Sequence, residues 1–271
     1  MTTESPRLRS AHVFAPRPPA KVHASIAAAA VQPQFIGAGQ TMNFVVSYDA
    51  SLGANGIHAA SSILQNCEGD FQTLRNAFSG ITPPGIPFQI RLTTDNGGAM
   101  HATCAATELF IGANSGGGPL DLAFMRQLVI AEEDEVFMQA FGRGWNCGFS
   151  NGEGLSRVLA NDMVPGAEPP GFISSNIWLN GGRPDWVNNT EQDDTQYPSI
   201  GCSCLFLNWL RFQLHYTWQQ IIAAGADTLA QTYTNLTGQQ DGFGRFQALM
   251  DKKFPPNQKT ALTTDNPFPL S

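Results

Sequence analysis

Four consecutive acids, Glu132, Glu133, Asp134 and Glu135, sit inside a segment that is otherwise apolar, between Leu128-Val129-Ile130 and Val136-Phe137-Met138. Burying an unpaired carboxylate costs several kcal/mol, and adjacent like charges raise one another's pKa and add to that cost. A solvated cleft, a bound cation or basic partners can offset it. At ~100° per residue a helix places Glu132, Glu135 and Gln139 on one face. Two carboxylates on one face can move protons on a substrate or offer oxygen ligands to a metal ion. Glu133 and Asp134 point elsewhere, toward solvent or toward Arg126 and Arg143. The plainer alternative is a wet helix end packed on those arginines.

A second acid stands between two glycines in Asn151-Gly152-Glu153-Gly154-Leu155-Ser156. It opens a helix, where a carboxylate complements the helix dipole. Arg157, four residues on, is spaced for an intrahelical ion pair. His101 falls on a short strand-like piece from which it can reach a cleft, and His215 on a helix end; a lone histidine is more often structural than a ligand. Trp145, Trp178 and Trp186 could stack on sugar rings, but core packing accounts for them as well. Asp193 and Asp194 are either further oxygen donors or part of a solvated loop.

The elements that must position these residues follow from periodicity. Phe44–Tyr48 and Phe88–Leu92 read as strands, and the apolar spacing of Asn55–Phe78 as a helix between them. Pro83-Pro84-Gly85 ends that helix, and Asn96-Gly97-Gly98 is a turn. Met100–Cys104 and Thr107–Ile111 read as short strands, and Asn114–Pro119 as a flexible break. Leu120–Phe141 is a long helix, apolar nearly all round, as expected at the centre of a protein. Helices are predicted over Glu153–Met163, Cys202–Leu214, Trp218–Thr234 and Phe243–Met250. Pro165–Asn180 reads as irregular and Arg183–Ser199 as a polar loop. Strands first and helices later make an α+β fold. The expected organisation is a disordered tail over 1–40, an α/β lobe with the central helix over 41–142, a helical lobe over 143–255 and a tail over 256–271.

Taken together, the order and spacing of residues 44 to 250 resemble the gluzincin-type zincin metallopeptidases. In that family a central helix carries H-E-x-x-H, whose histidines bind zinc while its Glu acts as base. A second helix supplies a Glu ligand, and a tyrosine further on stabilises the oxyanion. Here Ala131 stands at the first histidine, Glu132 at the base, Glu135 at the second histidine, Glu153 at the third ligand and Tyr197 at the tyrosine. The resemblance implies a zincin-like α+β fold: a small mixed sheet with an edge strand in the N-terminal lobe, a central buried helix and a helical C-terminal lobe. It implies a catalytic-type set of Glu132, Glu135, Glu153 and Tyr197, and a substrate-binding set of Gly98, His101, Trp145 and Arg183. Both zinc histidines are absent, so no metal or other cofactor is expected; the oxygen donors Glu135 and Glu153 would suit calcium, magnesium or manganese better than zinc.

Composition narrows the partners. Charged residues make up 14%, the net charge is -7 and the sequence pI is about 5.1. No Lys/Arg cluster lies between residues 40 and 250, so nucleic acid is not expected. No run of eighteen apolar residues exists, so no membrane span is expected. The five cysteines, Cys67, Cys104, Cys147, Cys202 and Cys204, fit buried thiols or, by a slight preference, two disulfides and one thiol. Disulfides would place the chain in an oxidising, extracytoplasmic setting, but the sequence does not fix the compartment. The leading expectation is a non-catalytic relative that binds a peptide or protein in an interlobe cleft. The alternatives are a carboxylate hydrolase, such as a glycosidase-like acid/base pair, and a metallohydrolase with a non-zinc ion.

Overall fold

The computed structural model describes residues 33–114, 119–193 and 195–271. It is an α+β protein with a five-stranded mixed sheet. The strands are β1 (Phe35–Gln40), β2 (Phe44–Asp49), β3 (Phe88–Asn96), β4 (Ala99–His101) and β5 (Glu108–Asn114), in the spatial order β1-β2-β3-β5-β4. β2, β3 and β5 run parallel, and β1 and β4 close the edges antiparallel. Alternate residues of the three central strands are buried: Phe44 and Val46; Phe88, Ile90 and Leu92; Leu109, Ile111 and Ala113. The period of two turns these side chains to one face. On the opposite face Arg91 pairs with Glu108 at 2.9 Å and lies over the Phe35 ring. The helices therefore gather on one side of the sheet, unlike a doubly wound fold.

Helix α1 (Gly53–Ala77) connects β2 to β3, and α2 (Leu122–Phe141) follows β5. Phe71 of α1 meets Phe44, Phe88 and Phe137 with ring centroids 6.1, 6.4 and 5.4 Å apart. Phe78 then stacks obliquely on Phe137. These rings tie β2, β3, α1 and α2 into one register, worth more than area burial alone. α2 is buried on every side, as its apolar sequence predicts. The second half packs α3 (Ser150–Met163), α4 (Ser175–Asn180), α5 (Tyr197–Asn208), α6 (Trp218–Ala223), α7 (Leu229–Thr237) and α8 (Gly242–Lys253) around Trp178, Phe206, Trp209, Tyr233 and Phe246. Buried apolar residues of both halves belong to one core.

Several boundaries differ from the sequence reading. Residues 1–32 lie outside the described residues, but Phe35–Gln40 is a strand, not tail. The flexible break at 114–119 lies largely outside them too, at residues 115–118. Pro165–Asn180 contains α4, and α5 begins at Tyr197 inside the supposed polar loop. The single helix expected over 218–234 is two. Gly225 divides it, where a Cβ would stand 2.1 Å from the Trp145 indole, and Thr228 caps the second piece.

The segment 256–271 is not a loose tail. Asp265, 2% exposed, accepts hydrogen bonds from Ser174 N (3.2 Å), Ser174 Oγ (3.0 Å) and Ser175 N (2.7 Å). It thereby satisfies donors that α4 leaves open at its start. Asn176 bonds the Leu262 backbone in both directions, and Phe268 is buried. Asp265→Ala strips buried N–H groups of a charged acceptor and is expected to cost about 3 kcal/mol in urea unfolding; an unchanged midpoint would show that the segment does not hold α4. Glu168 accepts from Asp265 N at 3.2 Å. Its carboxyl is pushed up to about 8, by burial first and then by the charge of Asp265. Between pH 4.5 and 8 the unfolded chain releases a proton that the folded chain keeps, so this group's contribution is greatest at low pH and is lost as pH rises across that window. Glu168→Gln is expected to flatten the decline in the urea midpoint across that range.

Candidate functional site

β4 pairs with β5 through Ala99–Ile111, Met100–Phe110 and His101–Leu109, and its other side is the sheet edge. α2 crosses beneath β4, which sets His101 against the Glu132/Glu135 face. His101 Nε2 lies 2.9 Å from Glu135 Oε2 and 3.9 Å from Glu132 Oε2. The side chains of His101, Glu135 and Glu132 are only 4%, 2% and 6% exposed. The i,i+3 spacing that predicted a shared face is realised.

α3 supplies the other wall. Ser156 Oγ reaches Glu135 Oε1 at 3.4 Å and the Glu153 carbonyl at 3.0 Å. The Glu153 carboxylate accepts from Arg157 Nε at 2.8 Å, both side chains being 8% exposed. Burial is the largest single influence on the Arg157 pKa and lowers it, but the charge and hydrogen bond of Glu153 together with the charges of Cys204 and Tyr197 outweigh it and hold the guanidinium above its ordinary value. Arg157 also lies over the rings of Phe172 at 4.1 Å and Tyr197 at 5.6 Å. A polar chain therefore runs from β4 through α2 and α3 to α5: His101, Glu135, Ser156, Glu153, Arg157, Tyr197.

The two glycines around Glu153 have a packing cause. A Cβ at Gly152 would stand 2.0 Å from the Asn146 carbonyl oxygen, and one at Gly154 2.5 Å from Ser203 Cβ on α5. They let α3 approach its neighbours closely enough to bring Glu153 and Ser156 to α2.

The structure gathers Glu132, Glu135 and His101; Glu153 is linked to them only through its backbone carbonyl and Ser156, its carboxylate pairing with Arg157, and Tyr197 joins only by way of Arg157. It does not gather the rest. Trp145 donates Nε1 to the Ile222 carbonyl at 3.0 Å and is core. Trp178 is fully buried and bonds the Pro184 carbonyl. Arg183, 5% exposed, clamps Leu179 O, Asp251 and Phe254 O, and so holds the α4 end to α8 instead of a substrate. Gly98 forms the turn into β4, its carbonyl accepting from Gly112 N at 2.8 Å. Asp193 caps its own turn through Thr195 and Gln196, and Asp194 lies outside the described residues. His215 is exposed, with φ at 64°.

Glu133 and Asp134 correct the expectation of solvent or arginine partners. Both are 0% exposed, and neither carboxyl has a hydrogen-bond partner among the described residues. Arg126 instead grips Asp70 with two bonds, of 2.8 and 2.6 Å, and Arg143 lies beside Phe141. Burial raises both carboxyl pKa values well above normal. For Glu133 the charges of Asp70, Glu68 and Asp134 add to it, and for Asp134 that of Glu135.

The cysteines form one disulfide, Cys104–Cys147, and leave Cys67, Cys202 and Cys204 as buried thiols, where two disulfides were favoured. Cys202 and Cys204 are two residues apart on one helix, so their side chains diverge. The bridge lies beside the acidic face: ligand atoms of His101, Glu135 and Cys147 all fall within 4.8 Å of one another. The spacing His101-x-x-Cys104 was the available signal, because a strand and its following turn bring such a pair to one place. No protein-family model, curated protein or solved structure matches this chain.

Glu133→Met replaces an unpartnered buried carboxyl with an apolar group of similar length. It is expected to stabilise the protein by about 1–3 kcal/mol at pH 7. The raised folded pKa favours the unfolded chain progressively above pH 4.5, so the gain should shrink on acidification. A lower melting temperature at pH 7 would show that Glu133 has a role the geometry does not reveal.

Proposed function

We propose that this chain is a non-catalytic, metal-independent binding protein on a zincin-like scaffold, which takes an extended peptide or protein segment at the β4 edge. The observation that carries this reading is internal charge compensation. Of the three positions that would ligate zinc, Ala131 has no donor. Glu135 is held by His101 at 2.9 Å and Glu153 by Arg157 at 2.8 Å. A zinc dication supplies positive charge at the centre of such a site; here the Arg157 guanidinium supplies charge at Glu153, and the His101 imidazole engages Glu135 by a hydrogen bond. An oxygen-loving cation would have to displace both.

A carboxylate hydrolase is less well supported. Its acid and base must both face the scissile bond, whereas Glu135 and Glu153 are each closed on a basic side chain. The antiparallel order of β4 beside α2 supports the scaffold resemblance. A short edge strand is the element to which a peptide adds by main-chain hydrogen bonds, with pockets for alternate side chains.

The test combines metal analysis, turnover and mapping on protein purified without chelator in its disulfide form. Expected are metal well below one equivalent, no cleavage of a mixed peptide pool, and protection of Ala99–His101 from hydrogen exchange by peptides selected for binding. One tightly held metal per chain, or peptide cleavage abolished by Glu132→Gln, would overturn the reading.

A further inference from the structure

The strongest unassigned feature is the ring of donors around the disulfide. His101 Nε2 and Glu135 Oε2 are 2.9 Å apart, and Cys147 Sγ completes a trio within 4.8 Å. Cys104 Sγ is bonded to Cys147 and therefore borders the same point. One imidazole, one carboxylate and two sulfurs thus converge from three segments: β4 with its following turn, α2, and the 142–149 connection. We propose that reduction of Cys104–Cys147 opens a zinc-binding site made of His101, Glu135, Cys147 and Cys104, so that metal occupancy reports the redox state of the chain.

The oxidised chain is closed to zinc because the thiolate is the ligand form of cysteine, and both sulfurs are held in the S–S bond. A dithiol reductant opens it. Cys104 borders the exposed residues Ala102, Thr103 and Ala105, whereas Cys147 is 7% exposed. The reductant thiolate therefore attacks Cys104 Sγ, the S–S bond breaks, and Cys147 leaves with the electron pair. The second reductant thiol then displaces Cys104 and forms the reductant's own disulfide. Two electrons and two protons have passed to the protein, giving two thiols. Zinc takes the two cysteines as thiolates and His101 as the neutral imidazole, so with that imidazole neutral the dication replaces the two thiol protons and the charge of the buried set does not change. This balance removes the electrostatic cost that a cation brings to a closed interior.

The donor chemistry selects zinc. Thiolate and imidazole suit zinc, whereas calcium and magnesium require oxygen shells. Zn–S of about 2.3 Å and Zn–N of about 2.0 Å place the donors of a tetrahedral site roughly 3–4 Å apart. The donor atoms of His101, Glu135 and Cys147 lie within 4.8 Å of one another, about 1 Å beyond that range at most, a gap that side-chain rotation closes once the S–S bond is gone. Glu153 and the outer edge of β4 play no part, so the site stands independently of the peptide-binding reading.

The experiment titrates zinc into the full chain in two states: oxidised, and reduced with a dithiol then desalted anaerobically. Binding is followed by competition with a chromophoric chelator, and thiols are counted before and after. Expected are no zinc on the oxidised chain and one zinc per reduced chain, with cobalt giving thiolate charge-transfer absorption. His101→Ala and Glu135→Gln, each checked for native circular dichroism, should weaken reduced-state binding by at least about 100-fold, more than the loss of an outer-shell partner. A reduced wild type that takes no zinc overturns this inference alone. So does unchanged affinity in both variants, which would mark a bare dithiol. Zinc on the oxidised chain overturns the redox gate together with the metal-free reading above.

Discussion

The His101–Glu135 contact is the constraint around which the site is arranged. It joins the edge of the sheet to the buried middle of α2. An ionised carboxylate could not remain at that depth without a partner, because desolvation outweighs any attraction to distant charge. The same requirement explains Arg157 on α3, which performs the equivalent service for Glu153. The interior polar chain is thus a sequence of local compensations, linked by hydrogen bonds from His101 to Arg157 and by a cation–π contact from Arg157 to Tyr197.

α2 treats its four acids in two ways. Glu135 faces β4 and α3, where His101 and Ser156 meet it, and Glu132 lies on the same side, 3.9 Å from His101. Glu133 and Asp134 face packed surroundings without donors and are held toward the neutral form. One turn of helix therefore carries two electrostatic regimes, decided by what each side packs against. The aromatic contacts of Phe71, Phe78 and Phe137 fix the rotation of α2, and with it which acids fall on which side.

Much of this was legible in the sequence. The apolar run through Val129 and Phe137 announced a central helix, and helical geometry put Glu132 with Glu135. What periodicity supplies is an angle around an axis; it does not name the neighbour. That is why sequence alone directs Glu133 and Asp134 to solvent or arginine, and why Arg183, whose three partners lie on the α4 end and the α8 region, reads there as a substrate contact. Gly152 and Gly154 were visible as an oddity, but their cause, contact with Asn146 and Ser203, is tertiary. Asp265 escaped notice because the serines it serves lie 90 and 91 residues away in the chain. Pro-rich flanks concealed an ordered segment behind a tail-like composition.

The covalent bridge has an effect far from its own atoms. Its ends are 43 residues apart and enclose β5 and all of α2. Closing a loop of that length removes conformational freedom from the denatured ensemble worth roughly 4 kcal/mol in the chain-entropy picture. A metal gripped from both ends of the same loop would restrict that ensemble in the same way. Exchanging sulfur–sulfur bonding for coordination would then alter the chemistry at this spot while leaving the topological tether, and most of its entropic benefit, in place.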